Sequence, residues 1–209
     1  MTDPNKTLIA ALLDRSGSME TSKEATEEGW RKLVDEQRSL PGSCQVTLAQ
    51  FDTEYEVLYS GMPIADLPEF VVQPRGMTAL LDAVGKFVTD VGAALSALPE
   101  AERPGHVICM IMTDGMENSS REWSLDGVRK LVEQQRDQWN WKFLFLGANM
   151  DAVDVAGKMG IGADGAITYN DGNHISTVAV SAAASAYMTS ARAGRRAAFT
   201  DEDRRAAMG

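Results

Sequence analysis

Two histidines, two cysteines and a shortage of positive charge set the first limits on this chain of 209 residues. Serine, cysteine or threonine nucleophiles usually need an imidazole base, and only His106 and His174 are on offer. His106 lies at the amino end of an apolar run whose other end carries the acid of interest, and His174 opens a late helical pattern. Cys44 and Cys109 both fall at or within strand-like segments and read as buried, reduced thiols rather than a disulfide or a reactive site. Lysine and arginine number 20 against 30 aspartates and glutamates, a net charge of −10 that repels phosphate backbones and anionic membrane surfaces. Nucleic acid is therefore not an expected partner. No apolar run is long enough to cross a membrane, and Met1 to Lys6 carry no basic region before the first apolar run, as a secretory leader would. These absences predict a cytoplasmic location. With 44% hydrophobic and 24% charged residues, the chain can bury a full core as one domain without staples.

What is present alternates between strand and helix. Strand-like runs cover about Thr7–Leu13, Gln45–Phe51, Glu54–Ser60, Val107–Thr113, Trp141–Gly147 and Ala166–Tyr169. The second and third flank Asp52-Thr53 as a hairpin, which adds an antiparallel edge. Helical patterns fall near Ser22–Ser39, Thr78–Leu98, Leu125–Gln138 and Asp151–Met159, with a long alanine- and serine-rich pattern after Asp171. Ser124, Asp151 and Thr200 sit where side-chain caps belong. The alternation predicts an α/β, doubly wound, mostly parallel sheet of about six strands, with one antiparallel edge strand and helices on both faces. The boundaries are read as a domain over residues 1–191 and a basic tail with a short terminal helix over 192–209.

The most informative stretch is Asp14-Arg15-Ser16-Gly17-Ser18, directly after the first apolar run. One carboxylate and two hydroxyls at alternate positions on a loop can point their oxygens into one space, and oxygen ligands suit a hard cation such as Mg²⁺ or Mn²⁺. The fourth run, Val107–Thr113, ends in Asp114-Gly115, and the turn-rich Pro74-Arg75-Gly76-Met77-Thr78 leads into the second helix. If these three loops share the carboxyl end of the sheet, Asp14, Ser16, Ser18, Thr78 and Asp114 converge where open α/β sheets place ligands. Thr78 also stands where a helix cap could sit.

In this order the motifs resemble those of the von Willebrand factor A (vWA) domain, the fold shared with integrin inserted domains. Its metal-ion-dependent adhesion site (MIDAS) carries Asp-x-Ser-x-Ser, a later Thr after a Gly, and Asp-Gly after the fourth strand. Asp14, Ser16 and Ser18 match the first, Thr78 the second and Asp114-Gly115 the third, within a likeness covering about residues 6–170. The resemblance implies a metal site at Asp14, Ser16, Ser18, Thr78 and Asp114, holding Mg²⁺, Mn²⁺ or Ca²⁺. It also implies a vacancy on the ion that an Asp or Glu carboxylate of a partner protein fills. The expected function is thus a cation-dependent protein-binding module without a reaction of its own, of the intracellular bacterial or phage type. The alternatives are a divalent-metal hydrolase, or an accessory subunit beside an AAA+ ATPase or in a stress-response complex.

Other readings are weaker. An aspartyl phosphotransferase would want a second aspartate where Ser16 stands. A hydrolase would need a base near the site, for which Glu117 is the one attractive residue. Gly160-Ile161-Gly162-Ala163-Asp164-Gly165 spells a dinucleotide fingerprint, yet it follows a helix and leads into a strand, the reverse of the required context. Asn149, Asp151 and Asp154 could suggest a second metal, but Asp151 as a helix cap explains them more simply, with Gly147-Ala148-Asn149 left on the rim of the main site. Trp123 is expected near the ligand face, and Trp30, Trp139 and Trp141 in the packing. The cationic stretch Arg192–Arg196 reads as a solvated helix end.

Overall fold

The computed structural model describes residues 2–209. Its strands are β1 (Asp3–Asp14), β2 (Ser43–Phe51), β3 (Tyr55–Pro63), β4 (Pro104–Thr113), β5 (Lys142–Ala148) and β6 (Ala166–Tyr169), and its helices are α1 (Lys23–Arg38), α2 (Leu80–Ser96), α3 (Leu125–Trp139), α4 (Ala152–Lys158), α5 (His174–Arg192) and α6 (Asp201–Met208). The strands form one sheet in the order β3-β2-β1-β4-β5-β6. Every pairing is parallel except β2 with β3, the antiparallel edge that the hairpin spacing predicts.

The apolar runs are continuous because the central strands are covered on both faces. Along β1, Ile9, Ala11 and Leu13 join one buried cluster, while Leu8, Ala10 and Leu12 join the other. The first cluster lies beneath α1 and α5, through Trp30, Leu33 and Val34 of α1 and Val180, Ala184 and Met188 of α5. The second receives Leu80, Val84, Phe87 and Val88 of α2, Val128 and Val132 of α3, and Ala152 and Ala156 of α4. Burial of these side chains stabilises the fold by about 1.5–3 kcal/mol for each large one. The alanine and serine of α5 have a packing reason. A Cβ added at Gly29 of α1 would stand 2.2 Å from Ser181 Oγ, so the two helices approach closer than ordinary side chains permit. That seam also holds buried Gln37, whose Nε2 donates to Ser185 O at 3.0 Å and to Ser185 Oγ at 2.9 Å.

The expected caps form: Ser124, Asp151 and Thr200 each accept a backbone N–H from the third residue onward, and Thr200 with Asp203 completes a capping box. Residues 192–209 fold back onto the sheet. Phe199 packs against Tyr187, Ala207 is fully buried, and Asn170 N donates to Ala207 O at 3.1 Å. Arg192 reaches Gln37 O at 2.8 Å and Arg196 pairs with Asp164 at 2.9 Å. Cys44 and Cys109 are free and buried. Among the described residues no helix is long and apolar enough to cross a membrane.

The strand order places the site. From β1 the chain passes through α1 to β2 on one side, and after β3 it crosses through α2 to β4 on the other side of β1. The carboxyl ends of β1 and β4 therefore lie side by side at the switch point of the sheet, with Leu13 in register with Met112.

Candidate metal centre

Asp14 closes β1 with its carboxylate fully buried. Oδ1 accepts the Ser16 N–H at 2.6 Å, and Oδ2 accepts the Thr113 hydroxyl at 2.5 Å, tying the end of β1 to the end of β4. The Ser16 and Ser18 hydroxyls stand 3.1 Å apart. Ser18 Oγ donates to Asp114 Oδ1 at 2.7 Å, and Ser16 Oγ lies 3.5 Å from the same oxygen. Thr78 is buried, and a Cβ built on Gly115 would sit 2.4 Å from its Oγ1, so the Thr78 hydroxyl lies against the residue that follows Asp114. All five predicted residues are thereby brought together from three loops.

The electrostatics are those of two carboxylates crowded into a buried space. Burial pushes the Asp14 carboxyl above the ordinary value, against hydrogen bonds from Thr113 and Ser16. Burial likewise raises Asp114, to about 6; the Ser18 hydrogen bond lowers it, and the charges of Asp14 and Asp171 raise it further. Asp114 Oδ2 is buried with no hydrogen-bond partner. An unpartnered carboxylate oxygen away from water is costly, and a cation among these groups would relieve both the repulsion and the desolvation. The donor set fits a hard cation, since it consists of two carboxylates and three hydroxyls. Among the described residues no group of three or more His, Cys, Asp or Glu side chains could hold a metal, so an ion here relies on hydroxyl oxygens.

A second network fixes the loops relative to each other. Arg15, between two of the candidate ligands, turns away from them and is buried. Its Nε donates to Asp52 Oδ2 at 2.8 Å and its Nη1 to Glu56 Oε2 at 2.5 Å. Arg75 Nε reaches the same Asp52 oxygen at 2.8 Å. Burial alone would raise the Asp52 carboxyl, but hydrogen bonds from Arg75, the Glu54 N–H and Arg15 together hold it below the usual range. The backbone follows the same path, with Arg75 N donating to Arg15 O at 2.8 Å and Ala79 N to Asp52 O at 3.0 Å. The loop carrying Thr78 is thus anchored to the loop carrying Ser16. A charged residue at the first variable position of the Asp-x-Ser-x-Ser motif was the signal available in the sequence, but its partners come from the hairpin.

Several residues around the start of α2 and after Asp114 depart from expectation. Thr78 does not cap α2: the N-cap position is Ala79, with no side-chain cap. The helix start is instead held by the 117–123 loop. Glu117 Oε2 accepts the Leu81 N–H at 2.9 Å, Ser120 Oγ accepts that of Asp82 at 3.0 Å, and Asp82 in turn accepts the N–H groups of Arg121, Glu122 and Trp123. Glu117 also accepts from Ser119 N, Ser120 N and Ser120 Oγ; burial would raise its carboxyl, and these bonds outweigh that and lower it. It is an anion held by four donors. Trp123 does not face the ligand side but packs on α2, so closely that a Cβ on Gly85 would meet its ring at 2.1 Å. Trp139, expected in the packing, is 59% exposed, whereas Trp30 and Trp141 are buried.

Asn149, after β5 and expected on the rim of the site, is joined by Tyr169 and Asp171 from the end of β6, which were not expected there. Asn149, in a left-handed backbone conformation, donates through Nδ2 to Asp171 Oδ1, and its backbone N–H reaches Tyr169 O at 2.9 Å. Asp171 lies near enough to Asp114 to raise its carboxyl, and Tyr169 is fully buried. Only parallel pairing of β6 with β5 puts this strand end beside the site. Asp151 and Asp154 hold no second centre: Asp151 caps α4 and Asp154 pairs with Lys158 at 2.6 Å. The glycine-rich 160–165 segment is the turn from α4 into β6.

No protein-family model matches the sequence, and no curated protein does. Solved structures do match. Proximal thread matrix protein 1 from the mussel byssus aligns with a TM-score of 0.62 at 12% identity, over 86% of this chain and 45% of that chain. A von Willebrand factor type A structure from Catenulispora acidiphila gives 0.60 at 15% identity, over 87% and 42%. The ArnB paralog VWA2 from Sulfolobus acidocaldarius gives 0.52 at 18%, over 91% and 45%. Another structure of the mussel protein, at 0.56 and 15% over 78% and 41%, has zinc in its MIDAS motif. At these identities the likeness is one of fold, which is vWA-like, and this chain spans less than half the length of those chains.

Proposed function

We propose that this chain is a divalent-cation-dependent protein-binding module, with Asp14, Ser16, Ser18, Thr78 and Asp114 as the metal ligands and a partner carboxylate as the group it recognises. The observation that carries the reading is the gathering of these five side chains from three loops, with the Ser16 and Ser18 hydroxyls on Asp114 Oδ1 while Asp114 Oδ2 is buried without a partner. Mg²⁺ or Mn²⁺ suits the donors, and Ca²⁺ is compatible with them. Two carboxylates roughly cancel a divalent charge while the hydroxyls leave the ion electrophilic, so a bound cation would supply a Lewis-acidic position for a partner Asp or Glu. The protein's own residues shape what can approach. Met77 and Met116, 52% and 70% exposed, precede Thr78 and follow Gly115, giving the rim two flexible apolar side chains. With a net charge of −10 around it, the fitting partner presents one acid within an otherwise neutral, apolar or basic surface.

Binding without chemistry is favoured over hydrolysis by where the bases are. Glu117 is engaged by four donors, His106 is at the start of β4, and His174 pairs with Glu28 at 3.0 Å. A cytoplasmic setting, beside an AAA+ ATPase or within a stress-response complex of a bacterium or phage, accords with the acidic charge and with the motif resemblance. The direct test is Mn²⁺ binding followed by electron paramagnetic resonance for the wild type, Asp14→Ala and Asp114→Ala, paired with partner capture in Mg²⁺ against EDTA. Saturable Mn²⁺ binding lost in both variants, with capture lost in parallel, supports the reading. Metal-independent capture would defeat it.

A further inference from the structure

Two residues that bracket Asp114-Gly115 reach across to the other two loops, and neither is one of the five candidate ligands. Thr113, the last residue of β4, is fully buried; its hydroxyl donates to Asp14 Oδ2 at 2.5 Å and accepts the Gly115 N–H at 3.2 Å. A hydroxyl has one proton to give. Gly115 O also lies 3.0 Å from the same oxygen, but a carboxylate is the stronger acceptor and here the closer one, so the proton goes to Asp14. Through this single oxygen the Asp14 carboxylate is tied to the backbone just past Asp114. Asn118 holds Thr78 in a comparable way. Its Oδ1 accepts the Thr78 N–H at 3.0 Å, and its own N–H donates to Thr78 O at 3.1 Å, so one residue meets both backbone polar groups of a buried threonine. The helix cannot do this, because α2 begins only at Leu80.

We propose that Thr113 and Asn118 are positioning residues of the metal centre, the first fixing the Asp14 carboxylate and the second fixing Thr78, so that the loop carrying Asp114 sets the spacing of the ligands on the other two loops. This rests on the metal-site reading above and adds two residues to it. Groups that orient a metal ligand commonly matter to affinity by about 10- to 100-fold. Thr113→Val removes the hydroxyl at nearly constant shape, Thr113→Ser keeps it, and Asn118→Ala removes the side-chain acceptor at an exposed position without touching the core. Each variant is titrated with Mn²⁺ by electron paramagnetic resonance well below its melting temperature, and melted separately in EDTA. Thr113→Val and Asn118→Ala should bind Mn²⁺ about 10- to 100-fold more weakly, while Thr113→Ser binds like the wild type. A merely structural role would lower the melting temperature in EDTA and leave the affinity of the folded protein unchanged; that result overturns the inference. Loss of affinity in Thr113→Ser equal to that in Thr113→Val also overturns it, since the hydroxyl is then not what acts. Should Thr113→Val fail to fold, Asn118→Ala still decides, because unchanged Mn²⁺ affinity there breaks the proposed pair. A wild type that binds no Mn²⁺ fails the metal-site reading itself and takes this inference with it, an outcome distinct from the others.

Discussion

The Ser18 hydroxyl donates to Asp114 Oδ1 at 2.7 Å, joining two residues 96 positions apart in the chain. That hydrogen bond holds the first and third loops together. On the proposed reading the hydroxyl and carboxylate oxygens are already gathered, so a cation would have little ordering to offset.

Metal should accordingly stabilise the folded chain, since the unfolded chain does not assemble the three loops. At about ten times the dissociation constant the gain is about 1.4 kcal/mol. Melting curves in Mg²⁺ and EDTA should separate for the wild type and coincide for Asp14→Ala.

The pH dependence follows from Asp114. Its folded value is raised to about 6 chiefly by burial, so the metal-free protein is favoured by protonation. That contribution is fully present below the ordinary carboxylate value near 3.8 and is lost as pH rises through about 6. Metal competes for the same oxygens, so its affinity should weaken as pH falls below about 6. The gap between Mg²⁺ and EDTA melting temperatures should therefore widen from pH 4.5 to 7; a constant gap would show that Asp114 does not ligate.

Gly115→Ala puts a methyl group 2.4 Å from Thr78 Oγ1. Because Gly115 is on a loop, the fold should survive, but the Thr78 hydroxyl must move. Metal affinity measured by titration calorimetry should fall by about tenfold, equivalent to about 1.4 kcal/mol, with the far-ultraviolet dichroism unchanged.

Arg15→Met tests the support beneath the ligands. It leaves Asp52, 1% exposed, with Arg75, the Glu54 N–H and the Thr53 hydroxyl as its remaining partners. Breaking a buried ion pair costs about 3–5 kcal/mol, and the retained Arg75 contact should place this case at the lower end. Urea unfolding should show that loss, and Mn²⁺ affinity should drop as well, because the Arg15 and Arg75 side chains share one Asp52 oxygen that couples the Ser16 loop to the loop on which Thr78 sits.

Much of this molecule is legible from local pattern. The unbroken apolar runs at Thr7–Leu13 and Val107–Thr113 imply strands buried on both faces, and the spacing of Asp14, Ser16 and Ser18 implies oxygens on one side of a loop. The five candidate ligands could be named because each belongs to a short motif at a strand or helix boundary. What lay beyond local pattern was every contact made across the sheet. Arg15 depends on Asp52 and Glu56 in the hairpin, α2 is capped by Glu117 and Ser120 rather than Thr78, Trp123 lies on Gly85, and Asp171 acts on Asp114 from the end of β6, two strands away. The physical reason is the same in each case. Strand periodicity and loop chemistry are carried by neighbours in the chain, whereas a buried charge or hydroxyl must be matched by whichever group the strand order β3-β2-β1-β4-β5-β6 sets beside it.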